Sequence, residues 1–272
     1  MRKIFAALAL TALFAMNAGA APAPSSSVSA KPKLIDQLKL TYAGFYMGPQ
    51  INHLNTSLQP DNSAQFIDSS LILGYKLNPD VTISAAYNFS LYLLREKDMT
   101  YNNPALRITH TKLYDNGQGV SLAGAFRAYL PLTESSRENN LITQLRGDET
   151  LNYDLQGTRW SLGMDFLQRV YLYSSDVALG KPGLKSLVMS FDPYCSYQIN
   201  DKLSARFVSS KGMNKAFANQ ATFNTSANMD GTLSVNWQAH SKVHVSPMIN
   251  FQPTNMSLNA TQAYLEVVVR IL

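Results

Sequence analysis

Apolar and polar residues alternate along most of this chain. Val120, Leu122, Phe126 and Leu130 share one parity, while Ser121, Arg127 and Tyr129 share the other. Downstream, Trp160, Leu162, Met164, Phe166, Val170 and Leu172 fall on one side and Ser161, Asp165, Arg169 and Tyr171 on the other. Successive side chains of a β-strand point to opposite faces, so each such segment predicts a strand with one apolar and one polar, charged face. The pattern predicts twelve strands. The first six are Lys39–Pro49, Phe66–Leu77, Val81–Leu94, Ala105–Tyr114, Gly119–Leu130 and Leu141–Leu155. Thr158–Tyr173, Ser186–Gln198, Leu203–Ser210, Gly231–Ala239, Val243–Phe251 and Thr261–Ile271 follow. Most approach the roughly 9–11 residues that a tilted strand needs to cross a bilayer.

The links between these segments are alternately short and long. Asn78-Pro79-Asp80, Gln156-Gly157, Asn200-Asp201 and His240-Ser241-Lys242 are turn sequences, and Asp115–Gln118 is also short. Gln50–Gln65, Arg95–Pro104, Pro131–Asn140, Ser174–Lys185, Lys211–Asp230 and Gln252–Ala260 are the longer links between them. An antiparallel transmembrane barrel with short periplasmic turns and longer outer loops has this rhythm, and an even strand number leaves both chain ends inside. Tyr75, Tyr153, Trp160, Tyr197 and Trp237 lie close to short turns on the apolar parity of their strands. They are the expected periplasmic aromatic girdle, rings at headgroup level.

The chain ends fit the same picture. Arg2 and Lys3 precede the apolar run Ile4–Met16, and Ala18-Gly19-Ala20 has the small-x-small form of a cleavage site. Residues 1–20 therefore read as a secretory signal peptide. Residues 21–38, with Ala-Pro-Ala-Pro and three serines, read as a flexible periplasmic tail, with a lumenal plug as the other option. Residues 39–272 form the barrel. The net charge of +5, two units of which belong to Arg2 and Lys3, is too small to suggest nucleic acid. The lone Cys195 excludes an intrachain disulfide or a cysteine-based metal site, and its parity makes it a buried or lipid-facing thiol.

On these residues the segment 39–272 resembles the porin-like outer-membrane β-barrels of Gram-negative bacteria. The resemblance implies the cell outer membrane as location and lipid as surroundings. It implies periplasmic chaperones and the barrel-assembly machinery as partners during biogenesis. Barrels of this class usually end on an alternating strand with a terminal aromatic; here Leu265, Val267, Val269 and Ile271 alternate, but the last residue is Leu272.

Candidate chemistry lies on the polar parity. Arg127, Arg146, Asp148, Asp165, Arg169, Asp192 and Arg206 are the expected pore-lining residues. A two-residue turn at Gln156-Gly157 would set Asp154 opposite Arg159 and Asp148 opposite Asp165. The whole lumenal parity, Arg107, Asp68 and Glu266 included, carries eight basic and six acidic residues, which predicts mild anion preference. Glu149, His110 and Lys112 fall on the lipid parity, so the strands carrying them should bulge or place them at the interface, with Gly147 a candidate bulge. His53, His110, His240 and His244, with Ser241 and Ser246 near the last two, give no recognisable nucleophile–base–acid set, and no metal or cofactor site is expected. The expected function is passive diffusion of small hydrophilic solutes through a polar, Arg/Asp-lined lumen. A non-conducting barrel with a structural or surface-binding role is the alternative, and a barrel enzyme the third.

Overall fold

In a computed structural model of the chain, the structure describes residues 34–50, 65–93, 99–174, 184–216, 224–225, 229–253 and 261–272. The signal peptide, most of the tail, and parts of the links expected after Pro49, Leu94, Tyr173, Ser210 and Phe251 lie outside the described residues. The first half of the wall consists of β1 (Leu38–Gln50), β2 (Phe66–Lys76), β3 (Val81–Tyr92), β5 (Ala105–Asp115), β6 (Val120–Tyr129) and β7 (Leu141–Asp154). The second half consists of β8 (Trp160–Tyr173), β9 (Lys185–Asn200), β10 (Leu203–Ala216), β12 (Asp230–His240), β13 (Val243–Phe251) and β14 (Gln262–Arg270). Two short strands, β4 (Met99–Tyr101) and β11 (Asn224–Thr225), add to the walls of β3 and β10.

Every one of the twelve long strands pairs antiparallel with its neighbours, and β1 pairs with β14 through Thr41 and Arg270 to close the ring. Closure leaves none of the twelve long strands with an unpaired edge, the condition for spanning a bilayer with β-structure. The twelve segments expected from alternation are these twelve strands, with ends that differ by a few residues; β10 runs furthest beyond its expected end, to Ala216.

The distribution of apolar side chains decides which medium the barrel faces. Among the described residues, only Ala105 and Tyr194 are buried hydrophobics. Buried polar residues are more numerous and include Ser69, Ser84, Ser90, Gln144 and Ser246. Leu71, Leu106, Phe126, Leu162, Leu233 and Ile249, spread around the ring, are all exposed. A water-soluble sandwich places its large aliphatics inside. Here the arrangement is inverted, so the outer wall is built for lipid.

Several local features depart from simple alternation. The link between β7 and β8 is not a two-residue turn. The Thr158 amide donates to the Leu155 carbonyl at 3.1 Å, and the Leu155 amide donates to the Trp160 carbonyl at 3.0 Å. Gly157 sits at φ 73° and the Thr158 hydroxyl donates to the Leu155 carbonyl at 2.8 Å, which stabilises the wider turn. The register therefore moves by two residues: Asp154 faces Ser161 rather than Arg159, and Asp148 faces Leu167 rather than Asp165. Parity is unchanged, because an even shift keeps every side chain on its face.

Gly147 is not a bulge; it pairs regularly with Phe126 and Gln168. The irregularities of the strands carrying Gly147 and Lys112 lie between Leu141 and Thr143 and between His110 and Tyr114. The latter accommodates Lys112, whose ammonium pairs with Asp115 at 2.8 Å near the short turn. Glu149 stays on the outward parity, beside Gln168 on the same face. Gly147 leaves the room for this: a Cβ there would meet Glu149 Oε1 at 3.2 Å.

The long links carry structure of their own. β4 continues the line of β5 along β3 but is offset from it by Asn102-Asn103-Pro104, where Pro104 has no amide to donate. The link after β6 contains α2 (Glu134–Glu138), capped by Thr133. Asn103 ties these two links together: its Nδ2 donates to Ser136 Oγ at 2.7 Å and its Oδ1 accepts from the Thr133 amide at 3.1 Å. At the other end of the barrel, the short helix α1 (Leu34–Gln37) precedes β1, and Gln37 accepts a hydrogen bond from the Tyr75 hydroxyl.

Candidate functional site: a two-sided lumen

The register brings four arginines into one row. Arg107 faces Arg127, Arg127 faces Arg146, and Arg146 faces Arg169, across β5, β6, β7 and β8. Cross-strand neighbours on one face of an antiparallel pair sit about 5 Å apart, so the guanidinium groups repel unless something intervenes. Asp148 intervenes. Its carboxylate lies 2.5 Å from Arg146 Nη2 and 3.2 Å from Arg127 Nε. The Arg146 Nε–H also donates to Asp148 Oδ1 at 2.7 Å. Arg107 and Arg169 have no carboxylate within ion-pair distance among the described residues, and the row keeps a net positive charge. Arg169 Nη1 donates only a long, 3.4 Å hydrogen bond to the Tyr171 hydroxyl.

A second cluster sits on β8, β9 and β10. Asp165 faces Asp192 across the β8–β9 ladder, so these are the facing carboxylates of the barrel. Asp165 Oδ1 accepts from the Thr150 hydroxyl at 2.7 Å, and Asp165 Oδ2 forms an ion pair with Arg206. The Arg206 guanidinium also lies 3.7 Å above the ring of Tyr194. Tyr194, at 8% exposure, lies flat on the wall over Gly163, and its hydroxyl donates to Asn152 Oδ1 at 2.9 Å. Arg206 is paired with Asp165, and Asp192 accepts from the Ser190 hydroxyl at 3.0 Å, so this cluster braces β7 to β10.

The opposite wall is acidic. Phe45 on β1 faces Asp68 on one side and Glu266 on the other. Counted around the ring, β1 lies six strands from β8, which carries Arg169. Asp68 Oδ1 accepts from the Ser90 hydroxyl, and Ser90 in turn accepts from Asn102 Nδ2 at 3.1 Å. A cavity of about 410 Å³ lies between the two sides, with Asp68 and Arg169 both in its lining. Ser70, Asn88, Asn102 and Gln144 supply most of the rest.

All seven residues expected in the pore thus lie on the inner parity, in two groups: Arg127, Arg146, Asp148 and Arg169 in the row, and Asp165, Asp192 and Arg206 in the brace. Arg107 completes the row; its parity was legible but its alignment with Arg127 required the register. Tyr194 and Gly163 carry no charge signal and emerge only from the structure. The five rings expected at headgroup level lie on the outward parity near short turns. Trp160 and Tyr197 meet in a tilted contact with centroids 4.8 Å apart, and Trp160 and Trp237 are 48% and 49% exposed. Cys195 pairs with Leu162 and Phe207 on the outward parity.

At the short-turn mouth, Ser246 Oγ lies 3.0 Å from His244 Nε2 and donates to Asn236 Oδ1 at 2.9 Å. Ser246 is 0% exposed, so its hydroxyl is enclosed by the wall and presents no face to a substrate.

Fold and lining together define the class: a closed twelve-stranded antiparallel β-barrel with an aliphatic outer wall and a charged lining. No family model and no curated protein matches the sequence. Among solved structures, the barrel is similar to the NanC porin, with 9% identity over 86% of this chain and 100% of that one and a TM-score of 0.48. It is also similar to Salmonella typhi OmpF in complex with daunomycin, with 7% identity over 86% and 97% and a TM-score of 0.38. A third is OmpT, an outer-membrane protein of Vibrio cholerae, with 10% identity over 86% and 98% and a TM-score of 0.37. None of these likenesses bears on solute or mechanism, for which the lumen of this chain is the ground.

Proposed function

We propose that this barrel is a passive channel for small hydrophilic solutes, with a mild preference for anions. The observation that carries this reading is the row Arg107–Arg127–Arg146–Arg169 with Asp148 as its one carboxylate partner among the described residues. A twelve-stranded ring lies between barrels filled by their own side chains and those with a wide aqueous channel. A narrow lumen with low-dielectric walls strengthens the field of a row of charges on one side. Asp68 and Glu266 on the other side limit the net effect, which is why the preference is mild rather than absolute.

The test is reversal potential across a salt gradient in planar bilayers. The wild type should favour anions weakly. Arg127→Ala with Arg146→Ala and Arg169→Ala should move selectivity toward cations while the barrel still inserts. An unchanged potential would assign the row to bracing. A wild-type barrel that conducts nothing would point instead to a structural or surface-binding role.

A further inference from the structure

We infer that the cavity between Asp68 and Arg169 is a binding site for short peptides with free ends, held as extended zwitterions. The inference deepens the channel reading by naming a solute class, and it rests on that reading only for transport. The cavity has one unpaired cation and one carboxylate at its two sides. Arg169 is the member of the row that lines this cavity, and among the described residues no carboxylate neutralises it. Its planar fork suits a carboxylate. Asp68 accepts from Ser90 through Oδ1, which fixes the carboxylate, and among the described residues Oδ2 accepts no hydrogen bond. Ser90 is itself buried and held by Asn102, so Asp68 is positioned before any ligand arrives.

The middle of the cavity is amide chemistry. Asn88 accepts from Ser70 at 2.7 Å and donates to the Asn103 carbonyl at 3.0 Å, so its orientation is set by the wall. Gln144, paired with Tyr129, lies on β7, next to β8, which carries Arg169. Side-chain amides offer both donors and acceptors and match peptide groups in either direction. An α-amino acid carries its two charges on one carbon and reaches only one side. A di- or tripeptide separates them, and a cavity of about 410 Å³ falls in the range of small-ligand sites. A plain anion gains Arg169 but faces Asp68 and, on the other side of β1, Glu266; a plain cation gains Asp68 but faces the arginine row.

Three matched probes test this: triglycine, N-acetyltriglycine and triglycinamide, which keep both charges, the carboxylate alone, and the ammonium alone. The readout is block of single-channel current, with heteronuclear NMR titration of the detergent-solubilised barrel as a second measurement independent of conductance. Triglycine should bind about tenfold tighter than either derivative, the loss expected for one charge-assisted hydrogen-bonded contact. Asp68→Asn should remove the preference over N-acetyltriglycine and leave that over triglycinamide. Arg169→Gln should do the reverse. N-acetyltriglycine binding as tightly as triglycine would make the cavity a simple anion site and overturn the inference. Equal binding of all three would do so as well. Triglycine binding with the predicted preferences by NMR in a barrel that conducts nothing would sink the channel reading and keep the peptide site. Conduction without any preference among the probes would keep the channel and sink the peptide site.

Discussion

At the scale of the residue, the lumen is stiffened by small side chains as much as by charged ones. Gly163 is the clearest case. A Cβ at this position would fall inside the contact distance of the Leu151 carbonyl oxygen and of the Tyr194 ring. With glycine there, Tyr194 lies against the wall, reaches Asn152 on β7, and offers its face to Arg206 on β10. Gly163→Val should displace the ring and detach both contacts. Overpacking of this kind costs about 1–3 kcal/mol, with the loss of a cation–π contact added to it. The expected outcome is a barrel that still inserts but unfolds at a lower urea concentration in detergent. An unchanged midpoint would mean that Tyr194 has another resting place and that the brace is not built on Gly163. Glu149 teaches a related point on the outer face. A carboxylate on the lipid-facing wall lies beside the polar Gln168 and is accommodated by Gly147, so two neighbours soften a position that parity alone marks as unfavourable.

At the scale of the element, the two ends of the barrel differ in kind. The described short-turn end is made of tight connections such as Leu77–Val81, where the Leu77 amide donates to the Val81 carbonyl at 2.9 Å. The long-link end carries β4, α2 and the Asn103 contacts that couple them. This asymmetry predicts orientation. In a Cys195→Ala background, a cysteine at the exposed Ser135 in α2 should react with an impermeant thiol reagent on whole cells. A cysteine at Asp201, in the turn between β9 and β10, should react only after the outer membrane is permeabilised. Labelling of Asp201→Cys alone on intact cells would turn the barrel over. Asn219, the other outer position marked by the sequence, lies outside the described residues.

At the scale of the whole molecule, stability comes from closure rather than from a hydrophobic core. Every long strand has two partners, and the hydrogen-bond ladder from Thr41 to Arg270 completes the circle. Such a ring opens only by breaking a full ladder, so unfolding should be cooperative and slow. The protein should therefore run on gels as a compact species before boiling and as an extended one after it. It should also remain with the outer-membrane fraction through carbonate extraction, because its exposed aliphatic belt has no aqueous partner. A single gel position with and without boiling, together with release by carbonate, would contradict a closed lipid-facing ring.

Periodicity by itself determined much of this protein. A side chain's face depends only on the parity of its position, so the twelve strands, the lipid belt, and the inward place of Arg127, Arg146, Asp148, Asp165, Arg169, Asp192 and Arg206 were all legible. Register was not, because it depends on how each turn closes. One turn at Leu155–Arg159, wider by two residues than its Gln-Gly suggested, moved Asp148 away from Asp165, and the separate β8–β9 register sets Asp192 opposite Asp165. Position around the ring was equally hidden. That Asp68 and Arg169 line one cavity follows from closing β1 onto β14, a contact between the two ends of the barrel sequence that no local pattern encodes. Sequence alternation settles which way a residue points; tertiary closure decides what it meets there.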